Sequence, residues 1–192
     1  MQKVAKEVLD WYKSGKYVAS AESIEPDPSN ILYLLHLFRQ REYILVQTLQ
    51  SSLARGNQQG ASVFQVWMLQ EADNVQALAK AFIERFVLEQ MLNSISKSDQ
   101  QIQSALQGVC LLFCLDAIEN DMSWFIRSTL VSASLADELV RASKTACSNM
   151  APRALALVDA MGVPEHLLPP AARDWVKYNE VDNQGEMIGI EM

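Results

Sequence analysis

Residues that could carry acid–base or metal chemistry are few and scattered in this chain of 192 residues. The two histidines, His36 and His166, lie far from other ligands in sequence, so they predict no zinc site. A helical di-iron bundle needs Glu-x-x-His pairs, which the sequence lacks. His36 stands among leucines and is expected to be a partly buried helix residue. His166 follows Pro164-Glu165 and is expected to face solvent.

The three cysteines, Cys110, Cys114 and Cys147, offer thiols rather than a disulfide framework, because an odd number leaves at least one unpaired. Cys110 and Cys114 lie one helical turn apart among leucines, and their spacing differs from the CxxC of zinc and redox sites. We therefore expect buried, inert thiols in a reducing compartment.

A cluster of carboxylate and amide side chains follows the most apolar part of the chain, at Asp116, Glu119, Asn120 and Asp121. Paired carboxylates can act as general acid and base, but we favour a solvated helix terminus. The sequence has no GxGxxG, P-loop, GxSxG or HExxH motif. It therefore predicts no catalytic, cofactor-binding or metal-binding residue.

Four aromatic residues, Phe64, Trp67, Phe82 and Phe86, could line a cofactor or acyl pocket. Such a stripe belongs more often to a core or a subunit interface. Periodicity does not separate these alternatives.

Charge and composition argue against several classes of partner. The net charge is −7 and charged residues make up 20% of the chain, so no basic surface is available for DNA, RNA or anionic membranes. The first residues are amphipathic and charged, unlike a signal peptide. The longest apolar run, Val109 to Leu115, is shorter than the ~18 residues of a membrane span. We expect a soluble intracellular protein with no nucleic-acid or membrane partner.

The elements that must position these residues are helices, because glycines and prolines lie between long segments with a 3.6-residue period. We predict an all-α fold, an antiparallel bundle of about five to six helices. The predicted helices run from Met1 to Ser14, Asn30 to Arg55, Ser62 to Ile95, Ser98 to Glu119, Met122 to Thr129, Leu135 to Met161 and Pro170 to Tyr178.

Several helix ends carry specific expectations. Asn30 or Ser29 is expected to cap its helix, and Gly56 to stop it. Ser98 with Gln101 fits a capping box, and Ser134 is the expected cap of the later helix.

Two features inside helices are also expected to matter. Pro152 is expected to kink the later helix. On the helix before Gly56, the charged residues Arg39, Arg41 and Glu42 are expected to face away from the apolar stripe.

Three sequence blocks, taken in order and spacing, resemble the C-terminal helical domain of peroxisomal acyl-CoA oxidases. The first is Phe38-Arg39-Gln40-Arg41, similar to the family's aromatic–basic–x–Arg pattern. The second, Leu106 to Ile118, resembles its LCLLYxL-like helix. The third, Ala154 to His166, resembles its ALVDAF segment. Near the end, residues 178–185 depart from the family's Asp-Gly-Asn-Val-Tyr-like stretch, and the chain ends in Ile190-Glu191-Met192 rather than a Ser-Lys-Leu-type signal.

The resemblance implies a division into three parts. Residues 1–28 would be the end of a preceding helix with a connecting segment, residues 29–178 the C-terminal helical domain, and residues 179–192 a flexible tail. In the family, a helix resembling the first sixteen residues follows a Glu-Gly-Asp/Glu-Asn segment, whose Glu is the catalytic base. We therefore expect Met1 to correspond to an internal methionine of a longer oxidase.

The implied function is a structural and dimerisation domain of an FAD-dependent acyl-CoA oxidase of fatty acid β-oxidation. That enzyme converts acyl-CoA and O2 to trans-2-enoyl-CoA and H2O2. The implied partners are upstream oxidase domains and a second subunit, the implied location is the peroxisome, and this chain alone is expected to be inactive, to bind no FAD and to self-associate. The alternative is a stand-alone helical protein-interaction module derived from the oxidase.

Overall fold

The computed structural model describes residues 24–164, 167–169 and 172. Within them it contains six α-helices and no strand, which confirms the predicted all-α fold. The helices are α1 (Ile31–Gln58), α2 (Ala72–Lys97), α3 (Gln100–Asn120), α4 (Met122–Arg127), α5 (Ala133–Met150) and α6 (Ala154–Ala160). A π-helical segment, Gln65–Gln70, precedes α2, and a 3-10 turn, Ala151–Arg153, joins α5 to α6. The predicted helix from Met1 to Ser14, most of that from Pro170 to Tyr178, and the tail lie outside the described residues.

Helix α1 begins as predicted but does not end as predicted. The Asn30 side-chain oxygen accepts a hydrogen bond from the Leu32 amide at 2.9 Å, which satisfies a free donor of the first turn. Gly56 does not stop the helix, which continues to Gln58. The chain turns instead at Gly60, whose φ of +76° suits a glycine.

Gly56 allows two helical segments to pack closely and does not end helix α1. It is buried inside α1, and a Cβ built on it would clash with Cγ2 of Val66 in the π-helical segment. Val66 is itself only 1% exposed, so it has little room to move. The absence of a side chain at Gly56 therefore lets the π-helical segment approach α1.

The predicted helix from Ser62 to Ile95 is interrupted. Gln65–Gln70 is π-helical, and a bend at Glu71 separates it from α2. A capping box stands at the start of this segment, because the Gln65 side chain accepts from the Ser62 amide at 2.8 Å and Ser62 Oγ accepts from the Gln65 amide at 3.2 Å.

The capping box predicted at Ser98 and Gln101 is wrong. Ser98 Oγ donates to the Ser94 carbonyl at 2.7 Å, and Asp99 is the residue that precedes α3. The predicted cap of α5 is also displaced, since Ser132 rather than Ser134 accepts from the Leu135 amide, at 3.2 Å.

Pro152 breaks the predicted helix from Leu135 to Met161 rather than kinking it. Helix α5 ends at Met150, and Pro152 lies in the 3-10 turn before α6. Proline lacks the amide hydrogen that would continue the ladder, and its ring clashes with the carbonyl four residues earlier. The α-helix therefore gives way to the tighter 3-10 turn at this point.

The chain divides into two compact units, one up to Asn149 and the other from Met150. The first has one core cluster, to which helices α1 to α5 contribute. Its largest fully buried apolar side chains are Phe38, Phe125, Leu34, Leu88, Leu115, Ile118 and Leu139. In the second unit, α6 has no buried residue. The division into residues 1–28, 29–178 and 179–192 stays a prediction.

Helix α3 is the central apolar helix of the first unit. By length and composition alone it could cross a membrane. Its Cys110, Cys114, Leu115 and Ile118 are nevertheless fully buried in the protein core. A core helix has the same composition, so this property does not by itself indicate a membrane span.

Replacing Gly56 by Ala tests the close approach of α1 and the π-helical segment. We expect Gly56→Ala to lower the free energy of unfolding by about 1 kcal/mol, because overpacking outweighs the gain in helix propensity. Urea denaturation measures the effect, with the exposed Ser51→Ala on the same helix as a control. In the Gly56→Ala/Val66→Ala double variant, the loss should be smaller than the sum of the two single losses. Simple additivity would contradict the contact.

Candidate functional site

The most unusual feature of the first unit is a network of charged side chains between α1 and α2. Arg41 is 2% exposed and Glu42 is fully buried, so the expectation that these residues face away from the core side of α1 is wrong. Arg85 of α2 is 5% exposed. Buried charges are costly unless they are paired and hydrogen-bonded. The partners of these three residues therefore decide what the site can do.

Glu42 and Arg85 form the buried centre of the network. Arg85 donates from Nε to Glu42 Oε2 at 2.6 Å and from Nη2 to Oε1 at 3.3 Å, a two-pronged contact that fixes both side chains. Arg85 Nη1 also donates to Glu89 at 2.8 Å, and the other oxygen of Glu89 accepts from Arg39 at 2.8 Å. The contacts thus run from Arg39 through Glu89 and Arg85 to Glu42, and the charges of these four side chains alternate in sign.

The environment of Arg85 favours its charged form. Burial by itself lowers the pKa of this guanidinium, but the hydrogen bonds and charges of Glu42 and Glu89 outweigh burial and raise the pKa. Arg85 therefore acts as a permanent cation and not as an acid or a base.

Arg41 forms a second group of ion pairs, called the Arg41 branch, which reaches the end of α3. Its Nη1 donates to Asp121 at 2.7 Å, and its Nη2 pairs with Glu84 of α2. Lys80 lies at the outer edge of this branch, where its Nζ is 3.2 Å from Asp121 and 3.8 Å from Glu84. The four side chains join α1, α2 and the α3–α4 corner.

Two aromatic rings enclose the Arg41 guanidinium. Its central carbon is 5.3 Å from the Phe38 ring centroid and 5.5 Å from that of Phe125, within the range of cation–π attraction. Its Nε is buried without a hydrogen-bond partner. Phe38 and Arg41 belong to the aromatic–basic–x–Arg block, so that block places a ring and its cation on one core face of α1.

Among the residues that the structure describes, the charged groups of this network pair with one another. Its four cations, Arg39, Arg41, Lys80 and Arg85, match its four anions, Glu42, Glu84, Glu89 and Asp121. A general base or nucleophile needs a reactive group held for a substrate, whereas these groups are held by one another. The arrangement can set the positions of α1, α2 and the α3–α4 corner.

The carboxylate cluster predicted as a solvated helix terminus is only partly so. Asp116 and Asn120 are exposed and hydrogen-bonded to each other at 3.1 Å, as expected. Glu119 accepts from Ser143 of α5 at 3.4 Å. Asp121 belongs to the Arg41 branch, so for Asp121 the expectation is wrong. Its partners lie 41 and 80 residues away in sequence, which local pattern does not reveal.

Two of the three cysteine thiols lie in the protein core, as the sequence analysis predicts. Cys110 and Cys114 are free and fully buried, whereas Cys147 is exposed. Cys114 donates a hydrogen bond to Cys110, and this bond together with burial raises the pKa of Cys114, which keeps this thiol protonated. The expectation of buried thiols is confirmed for Cys110 and Cys114.

His36 is half-buried, as expected, and His166 lies outside the described residues. Burial, and secondly the positive charge of Arg39, lower the pKa of His36. Across residues 24–164, 167–169 and 172, no three His, Cys, Asp or Glu side chains are grouped to hold a metal ion.

Three of the four aromatic side chains of the stripe are exposed rather than buried in the core. Phe64 is 65% exposed, Trp67 38% and Phe86 46%. Phe82 is half-buried and stacks on Phe86, with ring centroids 6.2 Å apart and planes inclined by 14°. The core interpretation is therefore wrong for the three exposed rings, and the pocket and the subunit interface both stay predictions.

A shallow open hollow of about 420 Å³ lies beside the π-helical segment. It is lined by Gln59, Gly60, Ala61, Gln65, Leu69 and Gln70. A flavin dinucleotide carries a diphosphate that needs cationic or helix-terminal donors. This lining offers no cationic side chain for such a diphosphate.

Comparison with known proteins connects this architecture to one family. Residues 30–171 match the family model described as acyl-CoA oxidase. The chain is 28% identical over 145 residues to the peroxisomal acyl-coenzyme A oxidase 3 of Arabidopsis thaliana, covering 75% of this chain but 21% of that protein. It is also 28% identical over 145 residues to a putative acyl-coenzyme A oxidase of Arabidopsis thaliana, of which it spans 76%.

A solved structure shares the fold. The crystal structure of acyl-CoA oxidase 3 from Yarrowia lipolytica superposes with a TM-score of 0.75 and 17% sequence identity. The match covers 94% of this chain and 27% of that one. This chain thus spans about a quarter of that oxidase and a fifth of the Arabidopsis oxidase 3.

Neutralising Glu42 tests the buried centre of the network. Glu42→Gln keeps the shape but removes the charge that faces Arg85, so we expect the free energy of unfolding to fall by about 3 kcal/mol. Urea denaturation at neutral pH measures this loss. Glu138→Gln on α5 makes the same chemical change at an exposed position and should stay within about 0.5 kcal/mol of the parent. Equal losses in the two variants would contradict the role of the pair.

Proposed function

The chain belongs to the acyl-CoA oxidase family as a C-terminal helical domain, and we propose that it supports a flavin-dependent oxidase without carrying out the reaction itself. In this proposal, other polypeptide of the oxidase supplies the catalytic base and the FAD site. The complete enzyme oxidises acyl-CoA to trans-2-enoyl-CoA and passes the electrons to O2, forming H2O2, in peroxisomal fatty acid β-oxidation.

The observation that carries the proposal is the set of ion pairs formed by Arg39, Arg41, Lys80 and Arg85 with Glu42, Glu84, Glu89 and Asp121. These ion pairs hold α1, α2 and the α3–α4 corner in position relative to one another. A rigid support of this kind has value in an enzyme, because a catalytic group displaced by about 1 Å can cost about 100-fold in rate. This chain spans 21% of the Arabidopsis oxidase 3 and 27% of the Yarrowia oxidase.

Peroxisomal location belongs to the same proposal. The Arabidopsis oxidase 3 that this chain resembles is named as peroxisomal. In the proposal, the chain reaches the peroxisome as part of the oxidase.

The alternative is a stand-alone helical module that binds another protein. One observation favours it: the putative Arabidopsis oxidase is itself short enough for this chain to span 76% of it. A small member of the family could keep the helical fold and use its exposed apolar surface for a partner.

The size of the natural product separates the two proposals. An antibody against this chain should detect a protein well above 21.5 kDa in an extract of the source organism. The transcript should continue in frame upstream and encode a Glu-Gly-Asp/Glu-Asn segment. A single band at 21.5 kDa, with an in-frame stop codon before the codon for Met1, would contradict the oxidase proposal and favour the module.

Activity of the isolated chain provides a second test. Purified chain mixed with FAD and acyl-CoA should remain free of bound flavin after gel filtration and should form no H2O2 in a peroxidase-coupled assay. The Arabidopsis oxidase 3, assayed in parallel, serves as the positive control. Peroxide formation that depends on acyl-CoA and this chain would overturn the division of labour.

A further inference from the structure

The turn that follows α4 contains a strained residue. Among the described residues other than glycine, Thr129 alone has its backbone in the left-handed region, with a φ of +59°. This region is unfavourable for L-residues because the Cβ comes too close to a carbonyl oxygen, and a β-branched residue such as threonine is a genuine outlier there. Strain of this kind persists only where the surrounding structure imposes it.

The hydrogen bonds of the turn explain why this position is left-handed. The Thr129 amide donates to the Ile126 carbonyl at 3.0 Å, and the Leu130 amide donates to the Phe125 carbonyl at 3.1 Å. These two bonds form a Schellman motif, which ends a helix by placing one residue in the left-handed region. Glycine is usual at that position because it has no Cβ. Threonine therefore occupies a position at which the turn favours glycine.

Buried residues on both sides of Thr129 impose the strained backbone. Phe125 is fully buried and Val131 is 2% exposed, so neither can move freely to relax the turn. The Phe125 carbonyl also accepts from the Val131 amide at 3.3 Å and from Ser128 Oγ at 3.0 Å. Thr129 itself is exposed, and its hydroxyl donates to the neighbouring Ser128 carbonyl at 2.7 Å. Burial of Thr129 therefore does little to offset the strain.

The Arg41 branch holds the other end of α4. The Asp121 carbonyl accepts from the Trp124 amide at 2.8 Å and from the Phe125 amide at 3.2 Å, at the start of the helix. The Asp121 carboxylate is 2.7 Å from Arg41 Nη1 and 3.2 Å from Lys80 Nζ. The Phe125 ring also lies against the Arg41 guanidinium. Contacts with α1 and α2 thus keep α4 in place against the strain at its end.

We propose that residues 121–131, which we call the α4 segment, open as one unit while the other helices of the first unit stay folded. A helix of six residues is too short to be stable without its packing partners, and release of the Thr129 backbone favours the open state. Opening separates Asp121 and Phe125 from Arg41, so the α3–α4 corner loses its link to α1 and α2. The domain therefore has a closed and an open state. This inference does not rest on the proposed function.

Native-state hydrogen exchange of the full chain, measured by NMR at low urea concentrations, tests the proposal. The amides of Trp124, Ser128 and Leu130 donate within the α4 segment. They should exchange about 10-fold or more faster than the slowest amides of α1 and α3, with one shared urea dependence that is weaker than that of the slow set. Equal rates and urea dependences in the two sets would show that the α4 segment opens only with global unfolding, and would overturn the proposal.

Replacing Thr129 tests the contribution of strain. Thr129→Gly should slow exchange of the same amides by about fivefold, because glycine adopts a positive φ without a steric cost. Ser123→Gly is the matched control, since Ser123 is exposed inside α4. There glycine should speed exchange by about twofold through its lower helix propensity. Unchanged or faster exchange in Thr129→Gly would contradict the role of strain.

Replacing Asp121 tests the link to the Arg41 branch. Asp121→Asn keeps the shape but removes the charge that faces Arg41, so exchange in the α4 segment should become about 10-fold faster. Asp116→Asn makes the same change at an exposed position of α3 and should alter these rates by less than about twofold. Unaltered exchange in a folded Asp121→Asn protein would overturn the link. If that variant does not fold, the parent and Thr129→Gly measurements still decide the proposal.

Discussion

The ion pair between Glu42 and Arg85 is the interaction on which the arrangement of the first unit depends. Both side chains are almost entirely removed from water, so each needs the other to offset its loss of hydration. The contact uses both oxygens of the carboxylate and two nitrogens of the guanidinium. It therefore specifies how α1 and α2 are rotated about their axes as well as how close they lie.

The choice of arginine at position 41 has a related physical reason. A guanidinium is flat, so it can lie between Phe38 and Phe125 while its nitrogens reach Asp121 and Glu84 in different directions. A lysine ammonium would supply charge but neither the planar stacking surface nor the fixed fork. The side chain thus links three helical elements from a single position on α1.

Burying charge on one side of α2 has a consequence on its other side. Because Arg85 and its neighbours face inward, the apolar side chains of Ile83 and Phe86 face outward. Their exposure to water adds no stability to an isolated protein. The buried ion pairs and the exposed apolar side of α2 are therefore two results of the same helix rotation.

The sequence by itself determined the helical class, the positions of most helices, the burial of Cys110 and Cys114, and the family, because local periodicity and linear motifs carry that information. Only the tertiary structure decided which charges are buried, since Glu42 meets a partner 43 residues away. The sequence pattern also did not reveal that Gly56 allows close packing, because Val66, which packs against it, lies beyond the turn that follows α1. Periodicity reports which residues share a side of a helix, whereas the opposing element decides whether that side is solvated, paired or packed.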